Sequence, residues 1–222
     1  MTDFRPQSFS LLPPVVKNLL IINVIVYLLD YSLMGSGINL RQHLALFYPE
    51  SVFFRPWQYI TYMFMHGSFM HLLFNMFMFW MFGYTLENVW GSKRFLFFFL
   101  FCGVGAALIH NLAVAYEVWD YRRVEEFTRA IRAMNTPTVG ASGSVYGILL
   151  AFGMMYPNMT VYVYLLFPVK VKYMVCFLAL LALFSGFGGA GGNIAHFAHL
   201  GGMLFGFILI MWWRKQRRND FY

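Results

Sequence analysis

The stretch "TVGASGSVYGILLAFGMMY" (138–156) is apolar enough to enter a membrane, yet it opens on Gly140, Ala141, Ser142 and Gly143, where a lipid-facing helix carries Leu or Ile. Either the small residues mark a weak place in a spanning helix or they seat something. The surrounding chain decides the first part of that question. Of its 222 residues 60% are hydrophobic, 21% aromatic and 11% charged, against about 25% charged residues in a soluble domain. Apolar runs near the ~20 residues that cross a bilayer occur at 15–34, 57–86, 95–116, 139–156, 169–187 and 194–213. The expectation is an all-α polytopic membrane protein, a bundle of six transmembrane helices forming one domain over 1–222.

The leading segment "MTDFRPQSFSLLPP" has little net positive charge and no small-residue cleavage site, so the first run reads as a retained helix rather than a signal peptide. Cys102 and Cys176 both fall in apolar spans and read as buried small hydrophobes, not a disulfide framework. The net charge of +7 does not point to nucleic acid, because the basic residues sit at the ends of apolar runs. With a cytosolic amino terminus, ten of the sixteen Lys and Arg lie on the cytosolic side, among them Lys93, Arg94, Lys170, Lys172 and Arg214. The positive-inside rule therefore puts both termini in the cytosol.

The connections carry their own signals. Residues 35–56 are mixed and aromatic and belong at the interface. In "EVWDYRRVEEFTRAIRAMN" (117–135), Val124, Phe127, Ile131 and Met134 recur at three and four, which predicts an amphipathic helix resting on the membrane surface. "NMTVYVYLLFP" (158–168), ended by Pro168, reads as an irregular loop. "SGFGGAGGN" (185–193) holds Gly186, Gly188, Gly189, Gly191 and Gly192, a backbone free enough to act as a lid.

Polar residues inside spans are costly and so are functional candidates. They are His66, His71 and Asn75 in the second run, His110 in the third, Ser142 in the fourth, and Asn193, His196 and His199 in the sixth. Each alone also reads as a hydrogen-bonded packing residue. Jointly they converge, because the even-numbered spans run in one direction and place Ser142 and His199 within roughly 10 Å of their helix starts. His71 and Asn75, one turn apart, reach a similar depth on one face.

A serine becomes a nucleophile when a neutral base takes its proton, and the lysines stand at the other face of the bilayer. His199 is the candidate base. Gly202 and Gly206 follow it, and Gly143 and Gly147 follow Ser142, so two small-residue faces let those helices approach closely. Acyl transfer also needs oxyanion donors, which His71, Asn75 and the Ser142 amide can supply. Tyr146, one turn beyond Ser142, can pack on His199 or serve as an ordinary core aromatic.

"HGSFMHLLFN" (66–75), "GASG" (140–143) and "AHLGGMLFG" (198–206), in that order on the second, fourth and sixth spans, resemble the rhomboid family of intramembrane serine proteases. "ENVWGSKRF" (87–95) and Trp57 are similar to further family segments. The resemblance runs over about 15–213. It implies a Ser142–His199 dyad without an acidic third member, and oxyanion stabilisation by His71, Asn75 and the Ser142 amide. It also implies a structural His66, no metal or other cofactor, and cleavage of a transmembrane protein substrate near the outer end of its membrane segment. Gly140, Gly143, Gly202 and Gly206 are the expected supporting positions. Gln58, where some members carry arginine, and Val89, where a basic residue can occur, are departures that touch loop packing. His196 has no assigned role. The expected setting is the cell inner membrane, for a minimal six-helix bacterial type.

Other readings remain. A catalytically inactive relative binding transmembrane clients has no need of both Ser142 and His199. A metal-dependent protease or transporter is disfavoured by the lack of an H-E-x-x-H motif and of acidic residues in the histidine-bearing spans, and a channel by the lack of matching broken helices.

Overall fold

The structure, a computed structural model, describes residues 9–34, 36–163, 166–187 and 194–219. Helices dominate: α1 (Pro14–Met34), α2 (Leu40–Leu44), α3 (Gln58–Thr61) running into a 3-10 turn (Tyr62–Phe64), α4 (Phe69–Trp90), α5 (Ser92–Arg123), α6 (Phe127–Met134), α7 (Ser142–Met155), α8 (Val171–Phe187) and α9 (Ile194–Asn219). Among the described residues, α1, α4, α5 and α9 are long and apolar enough to cross a bilayer, and α7 and α8 are shorter apolar helices. The protein is an all-α polytopic membrane protein, and among the described residues these six apolar helices fall in the six expected runs.

The centre is the pair α5 and α9, which pack most extensively on each other, and α7 packs chiefly on α9. Phenylalanines 79, 82, 95, 98 and 99 fill the space among α4, α5 and α7, each no more than 1% exposed. The outer faces are apolar too: Ile21, Ile25 and Leu28 on α1 and Phe177, Leu181 and Phe184 on α8 are exposed. A soluble protein does not display such continuous apolar faces; lipid is the solvent they fit.

Several boundaries depart from the sequence expectation. The second run is interrupted, because Met65 is extended and Ser68 caps a new helix, its Oγ accepting from His71 N at 3.2 Å. Only Phe69–Trp90 spans, and His66 lies in the turn ahead of it. α5 runs past the expected end to Arg123, where Glu125 at φ 62° breaks it. The predicted surface helix is thereby split, its first part continuing α5 and its second forming α6. Where an irregular loop was expected, β1 (Thr160–Val163) and β2 (Phe167–Lys170) pair antiparallel, with Thr160 opposite Lys170 and Tyr162 opposite Pro168. In a two-stranded ribbon both strands are edges, so Pro168 is tolerated. The glycine-rich lid expected over 185–193 falls largely outside the described residues, which exclude 188–193.

Two buried carboxylates escaped the sequence reading. Glu87, 2% exposed, stands on α4, so a histidine-bearing span does hold an acid. Its oxygens accept from Val15 N (2.9 Å), Val16 N (2.8 Å) and Ser92 Oγ (2.6 Å), capping the start of α1 and tying it to the α4–α5 turn. An anion at a helix N-terminus satisfies donors that have no intrahelical acceptor. Glu87 is 16 residues from His71 on one helix, about 24 Å away. Among the described residues no three His, Cys, Asp or Glu gather as a metal site. Asp30, near the other end of α1, is 2% exposed and pairs with Arg41 Nε of α2 at 2.9 Å.

Candidate active site

Ser142 is the first residue of α7, with Ala141 as its N-cap. The sequence reading placed it three residues inside a helix starting near 139. Gly140 is the cause of the difference. It sits at φ 129°, in a region L-residues rarely adopt, so the helix cannot begin before it. The consequence favours chemistry. Ala141 gives no side-chain cap, so the first-turn N–H groups, Ser142's included, keep their donors and the positive end of the helix dipole at the hydroxyl.

The turn before Ser142 is held from three directions. Gly140 N donates to Tyr62 O at 3.0 Å, and Thr138 exchanges two backbone bonds of 2.9 Å with Leu46. Thr138 Oγ1 lies 2.8 Å from His110 Nε2 on α5. Tyr62 also sends its hydroxyl to Gly103 O at 2.7 Å, fastening the same turn to α5. Gln58, fully buried, organises the loop that carries Leu46: Oε1 accepts from Arg55 N at 3.1 Å and Phe47 N at 3.4 Å, while Nε2 donates to Phe53 O at 2.9 Å. A neutral amide with both donors and acceptors does this work where the resemblance had suggested arginine. Trp57 Nε1 donates to His43 O in the same loop, at 2.9 Å.

His199 on α9 meets Ser142 directly: its Nε2 is 2.8 Å from the Ser142 Oγ, within the roughly 2.6–3.2 Å that proton transfer requires. Tyr146 stacks on the imidazole, ring centres 4.2 Å apart and planes 3° from parallel. Among the described residues His199 Nδ1 has no hydrogen-bond partner, and the stacked Tyr146 ring is the group that fixes the imidazole plane there. His196 stands edge-on to it at 5.8 Å.

The approach of α9 to α7 runs through glycine. A methyl at Gly202 would overlap the carbonyl of Gly143, and one at Gly206 would stand 3.3 Å from Gly147 Cα. Gly143 itself packs on Ala106 of α5, and Gly147 faces Cys102 and the Gly202 carbonyl. A side chain at Gly202 would hold the two helices apart and Ser142 away from His199.

Across the cleft, a methyl on Gly140 would press on His71 Cε1 and Nε2 at 2.9 Å while standing 3.7 Å from Ser142 Oγ. His71 Nε2 and the serine therefore border the same small space. Gly67 N donates to His71 Nδ1 at 3.4 Å, an arrangement that assigns the ring proton to Nε2, the atom facing that space. Asn75, 6% exposed, donates one amide hydrogen to His71 O at 2.9 Å and retains a second donor. His66, 1% exposed, packs edge-on against His71 with ring centres 5.1 Å apart.

The depth follows from helix length. Fourteen residues in α7 span about 21 Å, against a hydrocarbon core of about 30 Å. At the far end Met154 O accepts from Arg214, an interfacial side chain. With that end at one boundary and the helix upright, Ser142 would stand roughly 10 Å short of the other, in a site lined by polar groups from α4, α7 and α9.

The family model described as Rhomboid domain matches residues 54–216. Rhomboid-like protein 11, chloroplastic, of Arabidopsis thaliana is 30% identical over 131 residues, 59% of this chain and 38% of its own length. Rhomboid protease AarA of Providencia stuartii is 28% identical over 138 residues, 60% of this chain and 48% of its own. Rhomboid protease GlpG of Salmonella choleraesuis (strain SC-B67) is 35% identical over 83 residues, 37% of this chain and 29% of its own. The matched region thus spans less than half the length of each of these three relatives.

Proposed function

The chain belongs to the rhomboid family, and from that premise we propose that it is an intramembrane serine endopeptidase working through a Ser142–His199 dyad. The observation that carries the reading is the 2.8 Å contact between His199 Nε2 and Ser142 Oγ at an uncapped helix start inside the membrane. His199, neutral and with its proton on Nδ1, takes the hydroxyl proton as Ser142 attacks a peptide carbonyl. The tetrahedral oxygen is stabilised by the Ser142 amide, His71 Nε2–H and the free Asn75 hydrogen. The protonated His199 then passes its proton to the leaving amine, and water completes hydrolysis of the acyl-enzyme. Tyr146 keeps the imidazole plane aligned in place of an acid, and His66 buttresses His71. No cofactor enters these steps.

The substrate is the membrane segment of another protein, because only such a chain reaches a serine this far below the boundary. The excess of Lys and Arg at the opposite ends of the spans supports a cell inner-membrane location with both termini cytosolic. Purified protein in proteoliposomes is expected to cleave a single-span substrate and to form an adduct with a fluorophosphonate at Ser142. Ser142→Ala and His199→Ala are each expected to abolish cleavage with the fold intact, and Asn75→Ala to lower turnover by about 10²-fold. Undiminished cleavage by Ser142→Ala would overturn the assignment.

A further inference from the structure

The apolar surface that the dyad leaves unused is at the far end of α5. Its 32 residues measure about 48 Å, longer than the ~30 Å hydrocarbon core needs. Near its start the Arg94 guanidinium lies 5.9 Å from the Trp213 ring centre, and near its end that of Arg123 lies 5.0 Å from Trp119. Arg94 to Arg123 is about 44 Å along the axis, the thickness of a bilayer from headgroup to headgroup, about 40–45 Å. Trp and Arg are the side chains that settle at those two levels. Between them Leu108, Leu112, Tyr116 and Trp119 form one exposed stripe, spaced at three and four. That stripe continues the lipid-facing side of the bundle without a break.

α6 covers the other side of α5. Ala130 is buried against Val114 and Val118, with Ala133 and Met134 beside it, so α6 lies at or below the level of Trp119. At about 100° per residue, Phe127 and Ile131 stand together at the margin of that packed arc, 59% and 56% exposed. Thr128, Arg129 and Arg132 take the opposite arc. Among the described residues nothing covers Phe127 and Ile131, although both lie at the depth where the neighbouring stripe meets lipid.

We propose that α6 and the end of α5 form a bilayer anchor, with Phe127 and Ile131 inserted at the acyl boundary of the leaflet nearer Ser142, and that this anchor sets the depth of the nucleophile. The occupant is lipid because the surface is continuous with the membrane-spanning face. Its charge indicates that the lipid need not be anionic. Within 117–135 four arginines stand against four acids. Three of those arginines are ion-paired, Arg122 with Glu50 (2.7 Å), Arg123 with Asp120 (3.0 Å) and Arg129 with Glu126 (2.8 Å). Binding of this kind scales with buried apolar area.

The link to depth is the chain itself. Between Met134 and Ser142 the chain is tied to the bundle at four points: Ser51 Oγ donates to Asn135 Oδ1 at 2.7 Å, Thr138 pairs with Leu46 and meets His110 Nε2, and Gly140 N bonds Tyr62 O. A segment this short and this tightly fastened cannot let α6 change level without moving the nucleophile turn. The anchor stands independently of the protease reading, whereas its effect on the cleaved bond rests on it.

The test uses the whole chain with Cys176→Ser, since Cys176 is exposed and not buried as expected, retaining buried Cys102, and a bimane label on single cysteines at 127, 128, 131 and 132. It is reconstituted in vesicles of phosphatidylcholine alone or with phosphatidylglycerol. Brominated lipid is expected to quench labels at 127 and 131, and aqueous iodide those at 128 and 132, equally in both vesicles. Iodide quenching at 127 and 131, or lipid quenching only with phosphatidylglycerol, overturns the anchor. So does protection from both quenchers that disappears on dilution into more lipid, the sign of a second copy. For depth, Phe127→Ser with Ile131→Ser is expected to move the cleavage position on a single-span substrate by one residue or more. Fluorophosphonate labelling in detergent should be unchanged. An unmoved position overturns the depth-setting role, while a wild-type protein that cleaves nothing overturns the protease reading and leaves the quenching result to judge the anchor.

Discussion

Gly202→Ala is the perturbation that bears most directly on how the site is assembled. The added methyl would overlap the backbone carbonyl of Gly143, and a backbone atom in a packed helix cannot rotate aside. Carbon and carbonyl oxygen need about 3.3 Å, so α9 must retreat from α7 by about 1 Å. Ser142 and His199 are on those two helices, 2.8 Å apart. The same displacement carries the pair beyond the roughly 3.2 Å limit for proton transfer. A misplacement of that size costs about 10²-fold in rate, with overpacking destabilising the fold by about 1–3 kcal/mol. Gly206→Ala is the internal control. Its methyl would meet Phe98 Cζ at 3.1 Å and Cys102 Sγ and Gly147 Cα at 3.3 Å, contacts relieved by a few tenths of an ångström. The expected order in proteoliposomes is therefore wild type, then Gly206→Ala within about tenfold, then Gly202→Ala lower by about 10², with fluorophosphonate labelling following the same order. Gly202→Ala turning over at the wild-type rate, or Gly206→Ala falling further than it, would refute the backbone-to-backbone argument.

Tyr146→Leu keeps apolar bulk but removes the ring stacked on His199. It is expected to lower kcat by about fivefold, the scale of the ~1 kcal/mol attached to an aromatic pair, with KM and thermal stability near wild type, read from substrate titrations and melting in detergent. Glu87→Ala strips the acceptor from two α1 amides and Ser92 Oγ. It is expected to destabilise the fold by about 2–4 kcal/mol, seen as a lower midpoint in thermal unfolding, while the fluorophosphonate rate of the remaining folded protein is unchanged.

What could be read from the sequence were relations carried by helical spacing. Ser142, Gly143 and Gly147 repeat along one helix, His199, Gly202 and Gly206 along another, and two such faces have few ways to meet other than backbone to backbone. Tyr146 was reachable for the same reason, being one turn from the serine. The six apolar runs were legible because a bilayer demands length and apolarity together. What spacing did not disclose was where a helix begins within an apolar run. Ser68 in "HGS" is a cap signal hidden by apolar neighbours, and Gly140 delays α7 through a backbone angle that leaves no mark in hydropathy. The hairpin of β1 and β2 was hidden in another way, since Pro168 reads as a breaker unless its strand is known to be an edge.

The least legible features were polar atoms whose partners are remote in sequence. Glu87 is bonded to amides 71 and 72 residues away, and no local pattern announces a carboxylate that caps another helix. Thr138 looks like an ordinary loop residue until Leu46 and His110 are beside it. Hydrocarbon supplies no water to satisfy such atoms, so each polar residue in a span must find a protein partner or remain at a cost. Their presence can therefore be detected from sequence, but their pairing belongs to the fold. In this protein the turn bearing Ser142 is where those pairings converge: α5 holds it through His110 and Tyr62, the 40–61 loop through Leu46, and α6 through the short segment that follows Met134. The nucleophile's position is thus determined jointly by the bundle and by the segment at the bilayer surface, which is why changes at Phe127 and Ile131, far outside the dyad, are expected to alter where a substrate is cut.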